Sequence, residues 1–299
     1  MTICSISLSA QMAKPPQKKG FGKAKISLFF KRYFDFRNSF TASRYDHSEP
    51  ITSRLTFPFN SQGYKLAFYD EFDTLNLNKW QVGMPWGTFH GQQPHQYYGD
   101  SQVFTHKGKL ILTNEFKPKT FKLNGRDTII PYSVGCVNSY YGFSATYGYY
   151  AIRSKNPSGL AAWPAFWLTG KKYWPPEIDI FEMYSECKAH EIHNQKISLH
   201  FGSIEDHTKR SLTKTVRLPH NTDSIYHIYS CLWTPKKIIF FTDGIKVKTI
   251  KLNKWMRQYF SQEMIIVINN AIDPAYIKCV SKEQLPQNFQ IDWVRVYTK

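Results

Sequence analysis

The chain has 299 residues, 42% of them apolar, enough to bury a full hydrophobic core, and no stretch is long and apolar enough to span a bilayer as a helix. Its formal net charge of +17 would attract an acidic polymer, a membrane surface or nucleic acid. The five cysteines (Cys4, Cys136, Cys187, Cys231 and Cys279) are odd in number, widely spaced and without a CxxC pair, so they argue against a disulfide framework or zinc ribbon and are expected to be buried free thiols.

Residues 1–57 hold neither a strand nor a helix period for long. Within residues 1–45 nine basic residues face a single acid, Asp35, which places +8 of the net charge there. A solvated, poorly ordered basic arm is expected, with a short helix near 24–34; the functional alternative is an electrostatic tether to an anionic surface. Residues 2–13 are weakly apolar but follow no basic segment, a poor pattern for an export signal.

From residue 58 to 299 the pattern is strand after strand. A strand opens at 108–114 after a turn, and a Tyr-rich one covers 143–153. Ile225, His227, Tyr229, Cys231 and Trp233 alternate with Tyr226, Ile228, Ser230 and Leu232, the period of a strand with two unlike faces. Asp243-Gly244 between 238–241 and 245–248 signals a hairpin. One or two helical turns are expected near 253–260, and a last strand at 289–297. The fold class is therefore all-β: an antiparallel β-sandwich of the jelly-roll kind, forming one domain over 58–299, with a concave cleft able to hold an extended polymer. The aromatic share of 16% fits both strand positions and flat stacking surfaces for sugars.

The segment 174–183 reads Trp-Pro-Pro-Glu-Ile-Asp-Ile-Phe-Glu-Met. Acids are depleted in strands, yet Glu177, Asp179 and Glu182 fall within six residues. Side-chain alternation puts Glu177 and Asp179 on one face and sends Ile178 and Ile180 into the sandwich. Strict alternation would bury Glu182 in the core, at a cost of several kcal/mol or a strong pKa shift, roughly by units. A β-bulge at Ile180-Phe181 restores Glu182 to the acidic face. Three such close acids titrate as a coupled set, which lets a protonated acid and an ionised nucleophile share one strand. The alternatives are a solvated strand face and a calcium site built from the same carboxylates.

At these residues the sequence resembles glycoside hydrolase family 16, in the branch with a bulged Glu-x-Asp-x-x-Glu signature that includes laminarinases, agarases and κ-carrageenases. The likeness extends over roughly 58–299, through Tyr69-Asp70-Glu71-Phe72, Leu75 to Trp80, the 147–153 strand, Trp163-Pro164-Ala165-Phe166-Trp167-Leu168, Trp233-Thr234-Pro235, Asp243-Gly244 and Asp292 to Tyr297. The resemblance implies a retaining endo-glycosidase with Glu177 as nucleophile, Glu182 as general acid/base and Asp179 as the assisting acid. It places Trp163 and Trp174 along the sugar cleft, with His200 facing the acids and Asn269 in the cleft, while Trp167 is expected in the core. It implies no cofactor for catalysis but a structural calcium on the convex face, held by Glu71, the Gly108 carbonyl and Asp292. Ala151 stands where the family commonly has Glu, so a sugar or hydrogen-bond contact is expected to differ there.

The leading expectation is hydrolysis of a β-1,3 or β-1,3/1,4-glucan by a monomer; an extracellular address is suspected from that substrate class. The alternatives are a sulfated or acidic galactan of the agarose or carrageenan type, transglycosylation, and a non-catalytic carbohydrate-binding protein. No nucleic-acid partner is expected, although the basic arm keeps that class open to a retention test.

Overall fold

The computed structural model describes residues 63–89, 94–185, 187, 193–219 and 221–299. The basic arm and its expected helix lie outside the described residues. In chain order the strands are β1 (Lys65–Asp70), β2 (Gln81–Val82), β3 (Gln96–Tyr98), β4 (Val103–Thr105), β5 (Leu110–Leu123), β6 (Arg126–Asn138), β7 (Gly148–Lys155) and β8 (Ala162–Gly170). They continue with β9 (Glu177–Met183), β10 (Asn194–Phe201), β11 (Arg210–Arg217), β12 (His227–Trp233), β13 (Lys237–Thr242), β14 (Ile245–Lys251), β15 (Met264–Ile272) and β16 (Gln287–Thr298). One helix, α1 (Lys254–Tyr259), begins where Asn253 caps the Met256 N–H with its side chain at 2.9 Å.

The strands form two antiparallel layers. One runs β11-β10-β9-β8-β15 and then the end of β6; the other runs from the start of β6 through β5, β16, β7, β12 and β13 to β14. β6 serves both layers, passing from β5 to β15 near Gly135. A Cβ at Gly135 would stand 2.5 Å from the Gln102 carbonyl oxygen and 2.9 Å from Leu112 Cα, so only glycine allows this crossing.

Between the layers lies one core. β9 supplies Ile178, Ile180, Phe181 and Met183, β10 supplies Ile197 and Leu199, and β7 and β16 supply Tyr150, Ile152, Phe289 and Ile291, all shielded from solvent. Each such side chain contributes roughly 1.5–3 kcal/mol of burial. β9 is hydrogen-bonded on both sides, to β8 and β10. The acidic strand is thus central in its sheet and fixed in register.

Several expected boundaries move. The strand expected over 143–153 starts at Gly148, because Tyr147 and Gly148 take φ of +68° and +141° and turn the chain. The strand expected from Ile225 starts at His227, and the 108–114 strand continues to Leu123. The 243–244 hairpin stands as read, with both residues at positive φ, the geometry that two-residue turns favour. The thiol expectation is corrected: Cys187 and Cys279 form a disulfide across 92 residues, while Cys136 and Cys231 are buried and free, and Cys4 lies outside the described residues. Nothing in the sequence spacing announces that pair, because the sandwich alone brings two distant loops together.

Candidate active site

The bulge in β9 is the feature on which the site is built. Phe181 pairs with Phe166 and Asp179 with Trp167, so Ile180 has no partner of its own on β8. Across the other edge Glu182 pairs with Lys196 and Asp179 with Ser198. Ile180 and Phe181 both enter the core, and Glu182 emerges on the face that carries Glu177 and Asp179. All three carboxyls line one cleft open to solvent, together with Trp163, Trp167 and Asn269.

Each glutamate is held by an indole. Trp174, in the β8–β9 connection, donates its Nε1–H to Glu177 Oε2 at 2.7 Å. Trp163, on β8, donates to Glu182 Oε1 at 3.0 Å. Tyr184 donates its hydroxyl to the same oxygen at 2.6 Å, and its ring stacks on Trp163 with centroids 5.1 Å apart. Ser198 donates to Glu182 Oε2 at 3.4 Å. His200 places Nε2 3.3 Å from Glu177 Oε1 and 3.2 Å from Asp179 Oδ2, and its Nδ1 contacts Ser211 Oγ at 2.8 Å. The Asp179 contact lacks hydrogen-bond geometry, so buried Oδ2 receives no hydrogen bond.

Burial pushes the Glu177 carboxyl well above the usual carboxylate range, and the Asp179 charge adds to this, while His200 and the Trp174 N–H oppose it. Asp179 is also raised well above its ordinary value, first by burial and then by the Glu182 charge, against a hydrogen bond with Glu177. The two neighbouring carboxyls, both with raised affinity for protons, titrate together. Asp179 is the more buried of the two, so its charged form is disfavoured the more.

Asn269 and Trp167 also line the cleft. Asn269, on β15, accepts the Trp167 Nε1–H at 2.8 Å and lines the cleft. Trp167 is buried, yet it faces the cleft rather than the core between the sheets. Sequence reasoning missed three contributors. Tyr184 shares its strand face with Glu182, a signal present in the alternation. Ser198 pairs directly with Asp179. Trp86, half exposed, lies 5.8 Å from Trp167 in a turn that Asn138 anchors through the Gly83 carbonyl, and only the fold reveals that proximity. Ala151 is buried among Tyr149, Leu232 and Phe241 on the outer face of the other sheet, away from the acids, so its departure from the family pattern does not touch the cleft.

The residues expected to hold calcium are engaged otherwise. Arg295 binds both oxygens of Glu71, at 2.9 and 3.0 Å. Asp292 takes Lys109 on one oxygen at 2.8 Å and Arg153 on the other, and these cations hold its carboxyl below the usual range. Two carboxylates already facing three cations do not fit a dication as they stand. Among the described residues, the acids and histidine whose donor atoms converge within 4.8 Å are Glu177, Asp179 and His200, in the acidic row itself.

Residues 65–299 match the family model described as the glycoside hydrolase family 16 domain of β-porphyranases A–D. The chain is 28% identical over 243 residues to the endo-1,3-1,4-β-glycanase EglC of Rhizobium meliloti (strain 1021), covering 75% of this chain but only 49% of that protein. It is 29% identical over 260 residues to a β-glucanase of Rhodothermus marinus, covering 78% of this chain and 85% of the relative. Among solved structures, LamAcat from Zobellia galactanivorans superimposes with a TM-score of 0.66 at 23% identity, covering 78% of this chain and 98% of that one, a likeness of fold.

Proposed function

The chain belongs to glycoside hydrolase family 16, and we propose that it cuts internal β-linkages of a polysaccharide with retention of anomeric configuration. The observation that carries this reading is the bulge at Ile180-Phe181, which sets Glu182 beside Glu177 and Asp179 in one cleft.

In the first step Glu177, oriented by Trp174 and His200, attacks the anomeric carbon. The glycosidic C–O bond breaks, and Glu182 gives its proton to the leaving oxygen. In the second step Glu182 takes a proton from water, the water oxygen bonds to the anomeric carbon, and Glu177 departs. Asp179 keeps its proton throughout and limits the negative charge that the row must carry. Trp163, Tyr184 and Ser198 hold Glu182 in line with the leaving oxygen.

A β-1,3 or β-1,3/1,4-glucan is the backbone that the relatives' names support. A galactan of the agarose or carrageenan type is the second reading, favoured by a matching family model named for porphyranases rather than glucanases. Incubation with laminarin, lichenan, agarose and κ-carrageenan, followed by mass analysis and NMR of the first-formed anomer, tests both. Oligosaccharides released with the β-configuration are expected from one backbone, and Glu177→Gln is expected to abolish release while keeping its fold. Products of inverted configuration, or normal turnover by the Glu177→Gln chain, would sink the retaining assignment.

A further inference from the structure

Two lysines frame the acidic row. Lys196 stands opposite Glu182 on β10, and its ammonium lies 3.8 Å from the centre of the Tyr184 ring. Lys209, in the β10–β11 connection, places its ammonium 4.2 Å from the centre of the Trp174 ring. Those rings are the ones that hydrogen-bond the two catalytic glutamates. Each ammonium is thus one aromatic ring away from a catalytic carboxyl, and among the described residues neither lysine forms an ion pair.

The cleft is asymmetric. Toward β15 and β6 its wall is neutral: Met84, Gln96, Tyr98, Trp167 and Asn269. Toward β10 and β11 it offers hydroxyls and the two ammonium groups, with Ser198 bonded to Thr213 and His200 to Ser211. Tyr184 stays a neutral phenol, because burial first and then the charge of Glu182 push its ionisation up, so no phenolate competes for Lys196.

We infer that Lys196 and Lys209 bind anionic oxygens, a sulfate ester or a carboxylate, carried by the polysaccharide on the β10–β11 side of the cut linkage. The inference rests on the proposed hydrolase reading and deepens it, naming a substituent rather than the backbone sugar. The ammonium groups supply charge-assisted hydrogen bonds without geometric demand, as suits a flexible substituent. The neutral wall requires unsubstituted sugars on its side.

The test uses the Glu177→Gln chain in affinity gels cast with matched polymers: laminarin against sulfated laminarin, and agarose against κ-carrageenan. Carboxymethylated laminarin separates carboxylate from sulfate. Retardation by an anionic member is expected to exceed that by its neutral counterpart roughly tenfold or more. Adding Lys196→Gln and Lys209→Gln is expected to erase the preference, and arginine at both positions to keep it. Lys246→Gln with Lys251→Gln, on the exposed face of β14, removes the same net charge and is expected to keep it too. Equal retardation by neutral and anionic members, or a preference surviving the 196/209 glutamine pair, would overturn the inference, as would an equal loss in the β14 control. Wild-type turnover separates the two ideas: cleavage without anionic preference sinks this inference alone, whereas anionic preference without cleavage of any polymer supports the lysine site and sinks the hydrolase reading alone.

Discussion

The Tyr184 hydroxyl and the Glu182 carboxylate are joined by a 2.6 Å hydrogen bond, and the Trp163 indole donates to the same oxygen. These two donors fix where the Glu182 carboxyl points. With Glu182 as the proposed acid, Tyr184→Phe is expected to lower kcat on polysaccharide by roughly tenfold or more while KM changes little. An unchanged kcat would show that Tyr184 only packs against Trp163.

In the proposed mechanism the two glutamates divide the chemistry, so their variants should differ by leaving group. Glu182→Gln is expected to lower kcat on polysaccharide by roughly 10²–10⁴. On a β-oligosaccharide bearing dinitrophenolate, which leaves without a proton, its glycosylation step should be nearly spared. Glu177→Gln should fail on both. Pre-steady-state release of the phenolate reads the difference, and equal loss by both variants would refute the assignment of roles.

Asp179 is buried with its pKa raised, so the fold favours its protonated form. The stability this provides is fully present below the unfolded pKa, about 3.9, and is lost as pH rises through the folded value. Asp179→Asn does not titrate. Relative to wild type its Tm is expected to rise by roughly 2–4 °C at pH 8 and to show no gain near pH 4, while kcat falls roughly tenfold or more. Thermal melts across pH check the sign; a gain that grows toward acid would contradict it.

The Cys187–Cys279 bond ties the segment after β9, three residues beyond Tyr184, to the short turn at Ile277–Cys279 that follows β15. It closes a loop of 92 residues, and such a bond contributes roughly 2–4 kcal/mol. Serine at both positions is expected to lower Tm by roughly 5–10 °C and to raise KM more than it lowers kcat. Dithiothreitol should reproduce the shift in wild type and leave the serine pair unmoved.

Much of this architecture was legible in the chain, because two-fold alternation and turn residues are local signals. The weak helical period near 253–260 marked α1, Asp243-Gly244 marked the β13–β14 turn, and the impossibility of burying Glu182 unpaired demanded a bulge at Ile180-Phe181. Tyr184 was equally legible, since it shares a strand face with Glu182. Trp167 was not: a tryptophan buried under a cleft and one buried between sheets have the same neighbours in sequence.

By itself, then, the sequence determined the sandwich and the acidic row, because side-chain alternation and the cost of a buried charge act within a few residues. Only the tertiary structure decided what surrounds that row. Trp86 against Trp167, Lys209 over Trp174 and Cys187 bonded to Cys279 are meetings of segments far apart in the chain, fixed by how the strands pair rather than by any local preference. The same holds for Asp292, whose two cations, Lys109 from the turn before β5 and Arg153 from β7, stand 183 and 139 residues away in the chain.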